Sequence, residues 1–254
     1  MKFKIYCINL YERDDRYNFV KNEFNKYNLD VHFVRNHKHK LGGRYGCFDS
    51  HIQCLKDAKK NNIDVCLVFE DDIRLTPNCN KIILNCLNFI KKNKQTDIIY
   101  GGGRYLYLDK YITNNIYSGK SSGAFCIFIT KKMIKLILTN YKKYITTNLH
   151  YDHYLYFFAK NSFISIKSIT ILEPFGSNNS EWGNNLSSII KKKIINYTCL
   201  HFKFKNLLIL IIFMFLINCK LDFIKYLIIK YINQAHSNKG KLDINAKNKL
   251  IHIK

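Results

Sequence analysis

The sequence predicts an α/β fold with a mostly parallel, mixed sheet, followed by a C-terminal helical extension. Apolar runs of strand length alternate with segments of helical spacing, which is the pattern of α/β domains. One of these runs, Asp64–Phe69, ends abruptly in three acids, as a buried parallel strand does at its carboxyl end. With 254 residues, 47% of them hydrophobic, the chain can bury the core of one ordinary domain plus an appendage.

The alternation can be assigned element by element. The predicted strands are Phe3–Leu10, Val31–Val34, Asp64–Phe69, Asp97–Tyr100 and Gly123–Thr130. The predicted helices are Asp15–Tyr27, His51–Asn61, Lys81–Lys92, Lys131–Leu138 and Tyr154–Lys160. The glycine-rich segment Gly101–Arg104 is expected to be a loop.

The C-terminal part differs in composition, so we expect a domain over residues 1–190, an apolar and basic helical extension over 191–234, and a loose polar tail over 235–254. Leu207–Ile217 is an uninterrupted apolar run of 11 residues, shorter than the roughly 20 needed to span a bilayer. Three interpretations stay open for residues 207–232: a helix packed on the domain, a lysine-flanked helix pair lying on a membrane surface, or a true span.

The strong positive charge is less informative than its size suggests. The net charge is +23, with 41 Lys and Arg against 18 Asp and Glu, which attracts polyanions of every kind. Only six of the cations are arginine, the residue that reads bases, so a specific nucleic-acid partner is not predicted. Solvated lysines are the simpler explanation, and a membrane or other polyanionic surface is the alternative.

Nine cysteines without metal-ligand spacing favour a reducing compartment. The first residues do not form the apolar segment of a signal peptide. We therefore expect a cytoplasmic protein, with peripheral attachment to a membrane as an open alternative.

The three acids Glu70-Asp71-Asp72 are the densest negative charge in this cationic chain. Adjacent carboxylates repel one another at a strand end unless a cation neutralises them. Oxygen ligands suit a hard divalent ion, Mn²⁺ or Mg²⁺, which shares its remaining positions with water and a substrate phosphate. The alternative is a solvent-exposed strand end with no ligand.

Several segments, in order, resemble glycosyltransferase family 25, the lipooligosaccharide and collagen galactosyltransferase family. The segments that carry the resemblance, over about residues 3–175, are INLYERDDR from Ile8, GCFDSH from Gly46, LVFEDDIR from Leu67, DIIY followed by GGR from Asp97, the strand Ser122–Thr130, and Tyr151-Asp152-His153. The resemblance implies a GT-A type, nucleotide-sugar-binding domain that commonly uses Mn²⁺. It also implies inverting transfer, usually of galactose from UDP-galactose, to a glycan, lipooligosaccharide or glycoprotein acceptor.

The resemblance also implies roles for individual residues. The expected metal ligands are Asp71 and Asp72, the expected donor-binding residues are Asn9, Arg13, Arg16, Ser50, His51, Glu70 and Asp71, and the expected general base is Asp152. Two of these have structural alternatives, because Asp152 could cap the helix that follows it and Ser50 could cap a helix starting at His51.

The chain departs from the family pattern at two positions. Arg44 stands where the family usually has a glutamate before the Gly-Cys pair, and Asp152-His153 replaces a pair of acids. The competing functional interpretation is a catalytically inactive relative that binds a membrane or a glycan. A cationic nucleic-acid-binding protein is the weakest alternative.

Overall fold

The computed structural model describes residues 1–103, 105–145 and 149–173, without the side chains of residues 105 and 106. Arg104, the predicted extension over 191–234 and the predicted tail over 235–254 lie outside the described residues. Within the described part, no helix is long and apolar enough to cross a membrane.

Ten strands and six helices make up this part of the chain. The strands are β1 (Phe3–Leu10), β2 (Val31–Asn36), β3 (Val65–Glu70), β4 (Ile73–Leu75), β5 (Ile98–Gly102), β6 (Tyr105–Thr113), β7 (Ile116–Ser122), β8 (Cys126–Thr130), β9 (Ser162–Ser165) and β10 (Thr170–Leu172). The helices are α1 (Asp14–Lys26), α2 (Gly43–Lys60), α3 (Cys79–Lys92), α4 (Lys131–Asn140), α5 (Lys142–Ile145) and α6 (Tyr151–Phe158).

Eight of the strands form one mixed sheet in the order β2-β1-β3-β8-β5-β9-β7-β6. The pairings give β8 and β7 one direction and the other six strands the opposite direction. The predicted α/β fold with a mostly parallel, mixed sheet is therefore confirmed. A small second sheet pairs β10 with β4.

Apolar side chains alternate between the two faces of the sheet and bury it on both sides. In β3, Cys66 and Val68 pack in the cluster that contains α2, α4 and α6, whereas Leu67 and Phe69 pack in the cluster that contains α1 and α3. The central strand is thus apolar along its whole length because both faces are covered. Its first polar side chain is Glu70, where the strand ends.

The predicted start of α2 was wrong by eight residues. The helix begins at Gly43, after Gly42 with a φ of 96°, and not at His51. The two glycines of its first turn are poor helix formers and hid this start, although Phe48 already lies on the buried face with Ile52 and Leu55. The same kind of error affects α6, which begins at Tyr151 and not at Tyr154.

The expectation of a loop at Gly101–Arg104 was also wrong for its first two residues, which belong to β5. A Cβ at Gly101 would lie 2.6 Å from the Ile169 side chain, and one at Gly102 would lie 2.7 Å from those of Phe125 and Thr170. These glycines therefore allow neighbouring side chains to pack closely on the strand. The hairpin of β6 and β7 and the strands β4, β9 and β10 were not predicted.

Tyr6 provides a test of the packing between β1 and α2. Its hydroxyl donates to Asp57 Oδ2 at 2.8 Å, and Lys4 Nζ donates to the same oxygen at 2.8 Å. Although burial acts to raise the pKa of Asp57, these donors hold the pKa below its ordinary value. We expect Tyr6→Phe to lower the free energy of unfolding by about 1.5 kcal/mol at pH 7.

A depressed carboxyl pKa stabilises the fold above the unfolded value of about 3.9, and this contribution is lost as the pH falls through the folded value. The penalty of Tyr6→Phe should therefore shrink below about pH 4, as measured by urea unfolding across pH. Tyr111→Phe, at a half-exposed ring, is the control and should stay within about 0.5 kcal/mol of the parent. A penalty that does not change with pH would contradict the assigned hydrogen bond.

Candidate active site

The carboxyl ends of three neighbouring parallel strands bring the predicted site residues to one edge of the sheet. The register pairs Ile8 of β1 with Glu70 of β3, and Asn9 of β1 with Arg35 of β2. The antiparallel strand β8 begins at the same edge, where Glu70 N–H donates to the Phe125 carbonyl at 3.1 Å. Polar groups from separate parts of the chain therefore meet at the end of β3.

Asp71 is the most closely held carboxylate of this edge. Asn9 Nδ2 donates to its Oδ2 at 2.7 Å, and Arg16 Nη1 donates to its Oδ1 at 2.9 Å. Burial nevertheless raises the pKa of Asp71, against the opposing effects of Arg16 and Asn9, and the nearby Glu70 raises it further. Keeping the Asp71 carboxylate ionised in this buried position therefore costs free energy.

Asp72 lies beside this pair and is also buried, at 8% exposure. Its Oδ2 is 4.0 Å from Arg16 Nη1, and its backbone carbonyl accepts the Glu173 N–H at 2.8 Å. The second contact fixes the backbone of Asp72 against the end of β10. A buried carboxylate in a fixed position is suited to binding a cation.

The INLYERDDR segment supplies three of the expected donor-binding residues, Asn9, Arg13 and Arg16, and these have different partners. Arg35 Nε donates to Asn9 Oδ1 at 2.9 Å, which orients the amide so that its nitrogen faces Asp71. Arg13 pairs with Asp15 at 2.6 Å, and its predicted contact with the donor stays a prediction. Arg16 is the arginine of this segment that reaches the acids.

Arg16→Ala is expected to lower the free energy of unfolding by about 3–5 kcal/mol, because it leaves buried carboxylates without their guanidinium. The Arg16 and Asp71 side chains are only 12% and 11% exposed. Arg74→Ala is the control, since Arg74 pairs with Glu173 but is 44% exposed, and it should cost less than about 1 kcal/mol. Urea unfolding of the chelator-treated proteins measures both, and equal losses would contradict the assigned role of Arg16.

His51 is completely buried in the middle of α2 and stacks on Tyr151 of α6, with ring centroids 4.1 Å apart. Its Nε2 lies 3.8 Å from Glu70 Oε1. His51 thus connects α2 and α6 with the first acid of the triplet. Sequence reasoning missed Tyr151 as a partner of His51, since no periodic pattern relates the two.

Ser50 is not at a helix N-terminus, because α2 begins at Gly43, so the alternative that Ser50 caps a helix starting at His51 was wrong. Its hydroxyl donates to the Gly46 carbonyl one turn earlier at 2.7 Å and accepts from Asn36 Nδ2 at 3.0 Å. The first bond lies within α2, and the second links α2 to the end of β2. The predicted contact of Ser50 with a donor stays a prediction.

Asp152 lies in the first turn of α6, and the residue at the N-cap is His150. The capping alternative for Asp152 was therefore wrong. Its Oδ2 accepts the Gly123 N–H at 2.8 Å and its Oδ1 accepts the His153 N–H at 2.9 Å. Because Gly123 leads into β8 at the edge where Glu70 lies, this bond connects α6 with that edge.

Arg44, which replaces the glutamate of the family pattern, lies in the first turn of α2. Its Nη1 donates to the Leu149 carbonyl at 3.4 Å, and its guanidinium lies 4.0 Å from the centre of the Tyr45 ring. Leu149 directly precedes the turn into α6. Arg44 therefore connects the start of α2 with the backbone just before the helix that carries Asp152.

Three solved structures illustrate the distant likeness of this chain to known folds. A crystal structure of a glycosyltransferase involved in the glycosylation of the major capsid of PBCV-1 is similar, at 7% identity and a TM-score of 0.49, over 77% of this chain and 98% of that one. A protein from STIV is similar at 12% identity and a TM-score of 0.46, over 67% and 84%. Mannose-1-phosphate geranyltransferase from Thermus thermophilus is similar at 7% identity and a TM-score of 0.42, over 65% and 74%. Scores this low carry no conclusion about function.

Sequence comparison is more specific. No curated protein matches the chain significantly. The model of glycosyltransferase family 25 (LPS biosynthesis protein), however, matches residues 35–107, which include α2, β3 and the acidic triplet. The match confirms the resemblance that the sequence predicts, and it marks the chain as a glycosyltransferase that carries a family 25 segment.

Proposed function

We propose that the protein is a metal-dependent, inverting glycosyltransferase of the GT-A type. It transfers a sugar, in the first place galactose, from a UDP-sugar to a hydroxyl group of a glycan, lipooligosaccharide or glycoprotein acceptor. The observation that supports this proposal best is the pair of buried carboxylates, Asp71 and Asp72, at the carboxyl end of β3. Ligands of open α/β sheets bind at this edge.

The donor groups fit a hard divalent cation such as Mn²⁺ or Mg²⁺. Both Asp71 oxygens already accept hydrogen bonds from the protein, although each keeps a second lone pair. Asp72 is therefore the first ligand in this proposal, and Asp71 is the second. When bound, the metal supplies charge neutralisation for the diphosphate that leaves with the nucleotide.

The protein's own groups would do the remaining work. Asn9 and Arg16 hold Asp71 in place beside Asp72. Glu70, whose side chain is 25% exposed, can accept hydrogen bonds from the hydroxyl groups of the ribose or the sugar. Asp152 would take the proton from the acceptor hydroxyl as that oxygen attacks the anomeric carbon, on the face opposite the departing UDP.

Asp152 keeps this capacity although it holds two backbone N–H groups. Each of its oxygens accepts one of these bonds and has a second lone pair for an acceptor hydroxyl. The two bonds also fix the rotamer of the side chain, which favours a defined attack geometry.

A panel of UDP-galactose, UDP-glucose and UDP-N-acetylglucosamine tests the proposal on the full-length protein. Release of UDP is followed with Mn²⁺, with Mg²⁺ and with excess chelator. We expect metal-dependent release, fastest with UDP-galactose and increased by an oligosaccharide acceptor. Metal-dependent binding without turnover would support the catalytically inactive alternative, and absence of both binding and turnover for all donors would overturn the proposal.

A further inference from the structure

The buried ring of His51 has no hydrogen-bond partner for either nitrogen among the residues that the structure describes. Such a group is costly, because burial removes the water that would otherwise satisfy its polar atoms. Two side chains that can act as metal ligands lie beside this ring. Cys47 lies one helical turn earlier on the same face of α2, and Glu70 lies at the end of β3 beside the ring.

One ligand atom from each of these three residues lies within 4.8 Å of the other two. In a tetrahedral zinc site, bond lengths of about 2.0–2.3 Å place the ligand atoms about 3.3–3.8 Å apart. His51 Nε2 and Glu70 Oε1, at 3.8 Å, already lie at about this spacing, and no pair needs to approach by more than about 1.5 Å. Cys47 and Glu70 are partly exposed, whereas the ring of His51 is fully buried and stacks on Tyr151.

We propose that Cys47, His51 and Glu70 form a second metal site, which binds Zn²⁺ or a similar borderline-soft divalent cation. A thiolate and an imidazole favour such an ion over Mn²⁺ and Mg²⁺, which prefer oxygen ligands. The thiolate and the Glu70 carboxylate together balance the two charges of the ion, so the occupied site is neutral. This site goes beyond the proposed function and does not depend on it.

A metal ion bound here connects two elements at the edge of the sheet that carries the candidate active site. Three protein ligands leave the fourth position of a tetrahedral ion to water. The metal joins the first half of α2 to the carboxyl end of β3, directly before Asp71 and Asp72. Glu70 then binds zinc through one carboxylate oxygen, and its other oxygen can still accept a hydrogen bond from a sugar hydroxyl.

The test measures zinc binding by the full-length, reduced and chelator-stripped protein, in competition with a chromophoric chelator. We expect one tightly bound Zn²⁺ per chain and at least a 100-fold loss of affinity in Cys47→Ala. This variant is chosen because Cys47 is partly exposed and alanine is a good helix former, so the fold should be kept, as far-UV circular dichroism can verify. Cys54→Ala removes another thiol of the same helix and should bind zinc like the parent.

The Asp72→Asn variant distinguishes binding at the proposed zinc site from binding at the site of Asp71 and Asp72. It should leave the affinity for Zn²⁺ within about twofold of the parent, because Asp72 is not one of the three ligands. In the Co²⁺-substituted protein we expect thiolate-to-cobalt charge-transfer absorption that is lost in Cys47→Ala and kept in Asp72→Asn. Zinc affinity unchanged in Cys47→Ala, or lost in Asp72→Asn, would overturn the proposal, whatever the outcome of the UDP-sugar panel.

Discussion

Replacing Asp72 by asparagine is expected to lower the rate of sugar transfer by about 10³-fold. Asp72 is buried at the end of β3 and is the first metal ligand of the proposed mechanism. Asparagine keeps the size of the side chain but removes the negative charge that attracts the cation. The loss should appear at every donor concentration and be relieved only in part by excess Mn²⁺.

The measurement is metal-dependent release of UDP, together with Mn²⁺ binding followed by electron paramagnetic resonance. Asp109→Asn is the matched control, because Asp109 is an exposed aspartate on β6, outside the candidate site. The control should retain the activity and the Mn²⁺ affinity of the parent. If Asp72→Asn retained more than about a tenth of the parent activity, Asp72 could not be the main metal ligand.

The central strands were predictable because burial on both faces leaves a simple signal. The five predicted strands all exist, and β1 was predicted with its observed bounds, Phe3–Leu10. An apolar run that stops at acids marks β3 equally well. Strands with one exposed face gave a weaker pattern, and the hairpin of β6 and β7, which carries exposed side chains such as Tyr111, was therefore missed.

Within the candidate site, proximity was predictable only for residues at the same ends of adjacent parallel strands. Asn9 lies near the carboxyl end of β1 and Asp71 directly follows the adjacent parallel strand β3, so their proximity is expected from the fold class. The pairing of Cys47 with His51 was hidden, because the start of α2 was placed at His51 itself. Once the helix is extended to Gly43, these two residues are four apart and share a face.

The features of the candidate site that the sequence did not predict depend on tertiary contacts. The sequence did not show whether Arg13 or Arg16 reaches the acids, since Arg13 directly precedes α1 and Arg16 lies in its first turn. Arg13 is occupied by its neighbour Asp15, and the selection of Arg16 depends on how α1 packs against β1 and β3. The stacking of Tyr151 on His51 likewise depends on the packing of α6 on α2.

Replacing Asp152 by asparagine is expected to lower the turnover of acceptor-dependent transfer by about 10²–10⁴-fold, while the affinity for UDP with Mn²⁺ stays within about twofold of the parent. The asparagine carbonyl can still accept the Gly123 N–H, but the amide cannot take a proton from a hydroxyl group. Asp152→Glu keeps a carboxylate and should recover part of the rate. Steady-state kinetics with a sugar acceptor, combined with UDP titration, measures both quantities.

A merely structural role for Asp152 would give a different pattern, and Asp97 shows what that pattern is. The Asp97 carboxylate also accepts two backbone N–H groups, from Lys160 and Asn161, at the opposite edge of the sheet. Asp97→Asn also weakens the ion pair between Asp97 and Lys132, at 2.7 Å, so it should lose at least as much stability as Asp152→Asn and yet keep its turnover. If the two variants lost turnover equally, or if Asp152→Asn kept more than a tenth of it, the general base would have to be sought elsewhere at this edge.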